Sequence, residues 1–422
     1  MGRLVLDDAK AMNAKGLHLL YFVTEDWFFC SHFIERAVAA RRAGYQVSVL
    51  TRVRDHGDRI RAAGLSLIPI EIQRKGLNPF REFSTILQVA RIYCRERPQL
   101  VHHFALKPII YGTIALRLAA IKHCVNAPVG MGFVFSSSSR LARVMRPAVH
   151  LTLRALLNPP GSRVVFENAD DLAEAVRGSL VRPQAAVLIR GAGVDIVRFQ
   201  PRPEPAGIPK VVLVARMLWE KGISEFVEAA RRLRARKVVA RFLLVGAPDS
   251  ENPAAIPRAR LQDWHREGVV EWLGQRSDIA EILADSHIAC LPSYYREGLP
   301  KSLLEALAAG RPIVAADVPG CREAVRHGDN GFLVPNRDPE ALAEALATLI
   351  QDPSLRQRMG ASGRRRAETE FASSLVCEAT LTLYRELLAE TEHADLSSIS
   401  QTERPPGTAG NDTLVDRGRP HG

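Results

Sequence analysis

Four charged side chains sit where a phosphorylated ligand could be handled: Arg216, Lys221, Glu297 and Glu305. Glu297 and Gly298 follow the apolar run His287–Leu291, and Pro300 opens a helical stretch reaching Gly310. Proline at a helix start loses nothing, because the amide it lacks has no intrahelical partner there. The free amides of that first turn form an anion site suited to a diphosphate. Glu305 falls mid-helix among Leu and Ala, so its carboxylate must be paired or hydrogen-bonded, and the vicinal hydroxyls of a ribose would serve. The competing reading, a pair of solvated glutamates, fits poorly with the apolar neighbours and the intervening Gly298-Leu299-Pro300. Arg216 ends the run Val211–Ala215, and Lys221 precedes an amphipathic stretch that begins at Ile223. Two fixed cations at these places can neutralise a departing nucleoside diphosphate. Either one alone could equally be half of a structural ion pair.

Such residues need a scaffold of strands whose carboxyl ends face one crevice. Short β-branched runs alternate with helical patterns through the chain: Leu17–Thr24, Tyr45–Thr51, Leu65–Ile70, Leu100–Phe104, His123–Ala127, Arg163–Glu167 and Ala186–Ile189. After the proline-rich stretch Pro201 to Pro209 the series restarts with Val211–Ala215, Ala240–Val245, Val269–Trp272, His287–Leu291, Pro312–Ala316 and Gly331–Val334. This alternation predicts an α/β protein of two doubly wound, Rossmann-like domains, 16–200 and 201–370, with a cleft between them. Val376, Ala379, Leu383 and Leu387 recur at helical spacing and predict a helix over 371–392. The Ser/Thr/Pro/Gly-rich residues 393–422 read as a disordered tail, and residues 1–15 as an appendage with Met12 as an alternative start.

Composition narrows the function classes. A chain of 422 residues exceeds one hydrophobic core and suits two domains. Neither a spanning apolar run nor a secretory leader is evident, so the expected location is the cytoplasm, with the inner face of the membrane as a peripheral site. Six cysteines without Cys-x-x-Cys spacing indicate neither a zinc cluster nor a disulfide framework. No Asp-x-Asp occurs, and Arg216 with Lys221 supplies the positive charge that a metal would bring, so neither metal nor cofactor is expected. The net charge of +11 belongs to the first half: residues 1–200 hold 28 Lys+Arg against 15 Asp+Glu, and no acidic residue occurs between Glu96 and Glu167. A surface of this kind seeks anions.

The order and spacing of further motifs carry a resemblance. Gly193-Val194-Asp195 with Phe199, Arg216 with Lys221-Gly222, Leu244-Val245-Gly246 and Trp272-Leu273-Gly274 are followed by Leu291-Pro292-Ser293, Glu297 through Glu305, Gly310–Ala315 and Gly331–Pro335. Across residues 190–372 this pattern resembles the family 4 retaining glycosyltransferases. The resemblance implies a GT-B fold, a nucleotide-sugar donor held mainly by the C-terminal domain, retention of anomeric configuration and no metal. It implies that Arg216 and Lys221 hold and stabilise the diphosphate, Glu305 the ribose, and Glu297 the donor sugar. The backbone of Gly298, Leu299 and Pro300 would lie near sugar and phosphates, the loop bearing Gly274 and Arg276 near the base, and Gly246 would also belong to the nucleotide-sugar site. The leaving phosphate itself would accept the acceptor hydroxyl's proton.

The N-terminal half resembles members that build cell-surface polysaccharides and lipid-linked oligosaccharides, through Thr24-Glu25-Asp26, Ser31-His32, Val101-His102-His103, Leu106-Lys107-Pro108, Gly130–Ser136 and Val165-Phe166-Glu167-Asn168. It departs from them at Asp26-Trp27-Phe28, where many members have a glycine pair, and at Val129-Gly130, where many have a histidine. His32, His102, His103 and Lys107 are candidates for the acceptor side; satisfied structural histidines are the competing reading. Over 136–160, Arg140, Arg143, Arg146 and Arg154 interleave with apolar residues, as in a helix lying on an anionic leaflet or one packed on the core. The acceptor implied is a glycan or a lipid diphosphate. A sugar-nucleotide 2-epimerase of the same architecture is the alternative enzyme, and a nucleic-acid-binding protein is disfavoured because no module for it is recognisable.

Overall fold

The computed structural model describes residues 16–72, 78–129 and 150–402. Strands β1 (His18–Glu25), β2 (Gln46–Arg52), β3 (Ser66–Pro69), β4 (Leu100–Phe104), β5 (His123–Ala127), β6 (Ser162–Phe166) and β7 (Ala186–Leu188) form one sheet, in the order β3-β2-β1-β4-β5-β6-β7. Strands β8 (Lys210–Val214), β9 (Arg241–Val245), β10 (Glu271–Trp272), β11 (Ile288–Leu291), β12 (Ile313–Ala316) and β13 (Gly331–Val334) form a second, ordered β10-β9-β8-β11-β12-β13. Every pairing is parallel. All thirteen expected strands form, with ends within two residues of the sequence reading.

Parallel strands covered by helices on both faces read as continuous apolar runs, and Leu19–Val23 in β1 is buried at every position. The strand order reverses between β1 and β4 and again between β8 and β11. At such a reversal the flanking connections leave to opposite faces of the sheet, which opens a crevice at the carboxyl ends.

The helices that matter for the site are α1 (Asp26–His32), α2 (Ile34–Arg42), α3 (Pro79–Glu96), α4 (Leu106–Leu118), α5 (Ala169–Arg177), α6 (Ile223–Ala235), α7 (Lys301–Ala308) and α8 (Ser373–Thr402). The chain crosses between the sheets twice, and the crossings are stitched together where Val194 N donates to Phe371 O and Ser373 N to Val194 O, both at 2.9 Å. Helix α8 thereby returns to the first sheet and buries Val376, Leu383, Tyr384, Leu387 and Leu388 against its core. Two details depart from expectation. Ala379 is exposed, and Thr380 with Tyr384 takes its place on the buried face. The helix also continues past 392 to Thr402, through a Ser-rich segment that meets no proline before Pro405.

On the far side of the cleft Glu251, after β9, takes Arg52 Nη2 at 2.8 Å and Arg54 Nη2 at 2.7 Å from the end of β2. Residues 1–15 with Met12, the Gly130–Ser136 segment, Arg140, Arg143 and Arg146, and the tail from 403 lie outside the described residues. Among the described residues no helix is long and apolar enough to cross a membrane.

Candidate active site

Because β8 pairs directly with β11, the segments leaving them emerge side by side. A single 3-10 turn, Trp219–Lys221, carries Lys221 into the cleft. Behind it Gly222 has φ +75°, and a Cβ there would stand 2.1 Å from the Pro292 carbonyl oxygen, so only glycine permits this approach. The Glu220 carbonyl accepts from Tyr294 N and from Ser293 Oγ, each at 3.1 Å, and ties the two segments together. Lys221 Nζ and Glu297 Oε2 consequently pair at 2.6 Å, with both side chains nearly buried. The other carboxylate oxygen, Glu297 Oε1, is buried without a partner among the described residues. Leaving such an acceptor unmet costs about 1–3 kcal/mol, a penalty that an arriving hydroxyl donor would remove.

Arg216 is held on both sides. Its Nη1 donates to Asp249 Oδ2 at 2.8 Å, and its guanidinium stands 5.7 Å from the centre of the Trp27 ring, which the N-terminal domain contributes. Arg216, Lys221 and Glu297 act on one neighbour: burial raises the Glu220 carboxyl, Lys221 and Arg216 oppose the rise, and Glu297 adds to it.

Helix α7 starts at Lys301, with Pro300 as its N-cap and no side chain capping its amides. Glu305, one turn in, lies 3.7 Å from Lys301 Nζ. Burial lifts the Glu305 carboxyl above the ordinary range, against the pull of Lys301 and Arg198. Lys301 also donates to Ser31 O across the cleft at 2.6 Å. Beside it, burial pushes the His32 imidazole down to about 3, with Lys301 and Lys221 both contributing. His32 is therefore neutral and lies in the field of both lysines. His32 also shares a small cavity with Lys301, Arg198 and Asp195.

The glycine loops form the rim. Gly246 N donates to Gly274 O at 2.7 Å, and Trp272 Nε1 to Gly246 O at 2.8 Å. A Cβ on Gly246 would meet the Ala215 carbonyl at 1.8 Å, so glycine is what brings the β9 loop against the Arg216 segment. Arg276 is half-exposed and paired with Asp278. Gly298 and Leu299 face the N-terminal domain: Gly298 O accepts from Asn168 Nδ2 at 2.8 Å and Leu299 N donates to Glu167 Oε2 at 3.2 Å.

Three expected acceptor-side residues are engaged within the first domain and the helix that covers it. His103 is fully buried, its ring nitrogens 2.7 Å from Asn126 Oδ1 and 3.0 Å from the Tyr93 hydroxyl, and burial holds it near pKa 4. It points under helix α4, where Gly112 leaves room for the ring. His102 is likewise buried, with Nδ1 2.5 Å from the Tyr384 hydroxyl. Lys107 pairs with Glu82 of α3 at 3.3 Å and stacks on Tyr111. The burial of both histidines has a simple cause. A strand buried on both faces turns its side chains into helix layers, so a histidine near its end packs unless a loop carries it clear.

Trp27, Glu167 and Asn168 enter the sequence reading only as members of motifs, and Asp249 and Lys301 carry no role there. Lys301 was readable as the residue one turn before Glu305 on the same helix face. Trp27, Glu167 and Asn168 act across domains, and no local pattern reports that.

Comparison with known proteins agrees with this fold. A family model described as "Glycosyl transferases group 1" matches residues 208–352, and one described as "Glycosyl transferase 4-like" matches residues 18–158. The N,N'-diacetylbacillosaminyl-diphospho-undecaprenol alpha-1,3-N-acetylgalactosaminyltransferase of Campylobacter jejuni is 28% identical over 352 residues, 80% of this chain and 90% of its own. The UDP-Gal:alpha-D-GlcNAc-diphosphoundecaprenol alpha-1,3-galactosyltransferase of Escherichia coli is 25% identical over 67% of this chain and 74% of its own. Among solved structures, sucrose-phosphate synthase of Thermosynechococcus elongatus superimposes with a TM-score of 0.73 at 22% identity, covering 89% of this chain and all of that one. The chain belongs to the family 4 type glycosyltransferases and has their GT-B fold.

Proposed function

We propose that this enzyme transfers a sugar, with retention of anomeric configuration, from a nucleotide donor to a lipid-diphosphate-linked saccharide in cell-surface polysaccharide assembly. The observation that carries the reading is the Lys221–Glu297 pair at the β8/β11 reversal, whose free oxygen Glu297 Oε1 is a ready acceptor for a donor-sugar hydroxyl. Arg216 and Lys221 offset the charge that grows on the departing diphosphate. Amides at the start of α7 add to this. Glu305 takes the ribose hydroxyls. The acceptor hydroxyl attacks the anomeric carbon on the face the diphosphate leaves; the C–O bond to phosphate breaks, and the hydroxyl proton passes to the departing phosphate oxygen. No metal enters the step.

The acceptor class follows from two relatives whose names specify undecaprenol diphosphate-linked sugars, and the donor class from one that names UDP-galactose and one that transfers N-acetylgalactosamine. A protein acting on such a lipid works at the cytoplasmic face of the membrane. The test is release of UDP from UDP-galactose, UDP-N-acetylgalactosamine and related donors, with and without undecaprenyl-diphosphate-linked saccharides, and the anomeric configuration of the product by NMR. Acceptor-dependent release with an α-linked product is expected. Interconversion of the sugar nucleotides without any acceptor would instead identify an epimerase.

A further inference from the structure

The loop that carries Glu297 is fastened by the opposite domain as well as by its own. Arg296 Nε donates to Asp171 Oδ1 at 2.6 Å and its Nη2 to Glu174 Oε2 at 2.5 Å. Asn168 Nδ2 donates to Gly298 O at 2.8 Å, and Leu299 N to Glu167 Oε2 at 3.2 Å. All four partners come from Glu167–Glu174, the end of β6 and the first turns of α5. Glu297 lies between the clamped residues Arg296 and Gly298.

The fit is of backbone against carboxylate. A Cβ on Gly298 would stand 2.0 Å from Glu167 Oε2, so a larger residue would push the two domains' segments apart. The gripping residues are themselves fixed. Asn168 accepts from Asp171 N with Oδ1 and donates to Asp171 Oδ2 with Nδ2, each at 2.8 Å. Arg36, buried and hydrogen-bonded to Gly191 O in the crossing segment, supplies positive charge to Glu167.

We propose that Glu167, seconded by Asn168, is a positioning residue for sugar transfer: the N-terminal domain reaches over the cleft, holds the amide and carbonyl just after Glu297, and so sets where that carboxylate aims. The proposal rests on the transferase reading of the Lys221–Glu297 site. It separates two functions within one ligand. The nucleoside diphosphate is bound by Arg216, Lys221 and Glu305 of the C-terminal domain and does not depend on the brace. Orientation of the sugar does, and a reacting centre displaced by about 1 Å loses up to about 10² in rate. Donor geometry is thereby completed only when both domains are in register.

The test compares Glu167→Ala, Glu167→Gln and Asn168→Ala with the wild-type enzyme in three measurements. These are turnover with UDP-galactose or UDP-N-acetylgalactosamine and a lipid-diphosphate acceptor, UDP affinity by calorimetry, and amide hydrogen exchange of segment 297–300. Glu167→Ala is expected to lower kcat about tenfold or more, leave the UDP Kd within about twofold, and speed exchange of the segment several-fold. Glutamine, which still offers an acceptor oxygen, is expected to restore kcat and exchange toward wild type, and Asn168→Ala to lie between. Unchanged kcat in Glu167→Ala overturns the proposal. So does a parallel loss of UDP affinity, which would mean general disruption, or a lost kcat with unaltered exchange, which would put Glu167 on the substrate itself. If the wild-type enzyme transfers from none of the donors, the transferase reading fails, while exchange and UDP binding still decide whether the brace exists.

Discussion

Lys221 Nζ and Glu297 Oε2 stand 2.6 Å apart, and that contact leaves the second oxygen of Glu297 buried and without a partner among the described residues. The pair therefore neutralises the carboxylate without saturating it, which suits a group that must take a ligand hydroxyl.

Replacing Glu297 by Gln keeps the shape and removes the charge that Lys221 now balances. Turnover should fall about 10²–10³, the scale of one preorganised electrostatic group, with UDP affinity little changed. Single-turnover rates against UDP calorimetry check this, and a rate within threefold of wild type would exclude Glu297 from the sugar site.

Lys221→Ala should cost more than activity. It strands a nearly buried carboxylate, a change that destabilises by about 3 kcal/mol when one member of a buried pair is lost, while turnover falls by a comparable 10²–10³. Thermal unfolding should show the loss of stability, and Lys221→Ala with Glu297→Gln should recover much of it. Failure of the double variant to recover would mean that the pair is not what stabilises this corner.

Glu305→Ala should weaken UDP by about tenfold, as expected for one charged hydrogen-bond acceptor. Affinity for inorganic pyrophosphate, which lacks the ribose, should not move. Equal losses for both ligands would relocate Glu305 away from the sugar of the nucleotide.

His103→Ala should be a stability variant only. It removes the bonds to Asn126 and Tyr93 inside the first domain and leaves their polar groups unmet, at about 1–3 kcal/mol. Below its melting temperature kcat should match wild type; a selective loss of acceptor KM would return this histidine to the cleft.

The brace also has a pH signature. Burial raises Glu167 to about 7, with Arg36 opposing and Asp171 and Glu297 adding to the rise, whereas an unfolded glutamate titrates near 4.5. Between those values the folded chain keeps a proton that the unfolded chain has released, so this group's contribution to stability falls as pH rises through the window and is flat above it. Glutamine does not titrate. The melting temperature of Glu167→Gln relative to wild type should thus increase from pH 5 to pH 8, and a constant difference would show that Glu167 ionises normally.

Much of this architecture was legible in the chain. Thirteen apolar runs became thirteen strands because parallel strands buried on both faces leave an unbroken apolar signal, and the Pro201 to Pro209 stretch lies where the two sheets part. Arg216, Lys221, Glu297 and Glu305 were readable because each follows a strand end or sits on one short helix, where local sequence dictates position. What escaped was non-local. Nothing beside Trp27 announces the Arg216 guanidinium, and Glu167 meets Leu299 across 132 positions of chain. His102 and His103 misled for the opposite reason: the sequence places them near a strand end but is silent on which layer covers it.

The most direct test of the account is a crystal structure of the enzyme with UDP bound. The diphosphate should lie within hydrogen-bond reach of Arg216 and Lys221 at the start of α7, with the ribose hydroxyls on Glu305 and Glu297 Oε1 open toward the place of the donor sugar. A nucleotide seated elsewhere, or one whose ribose stands clear of Glu305 while Lys221 keeps to Glu297 alone, would contradict it.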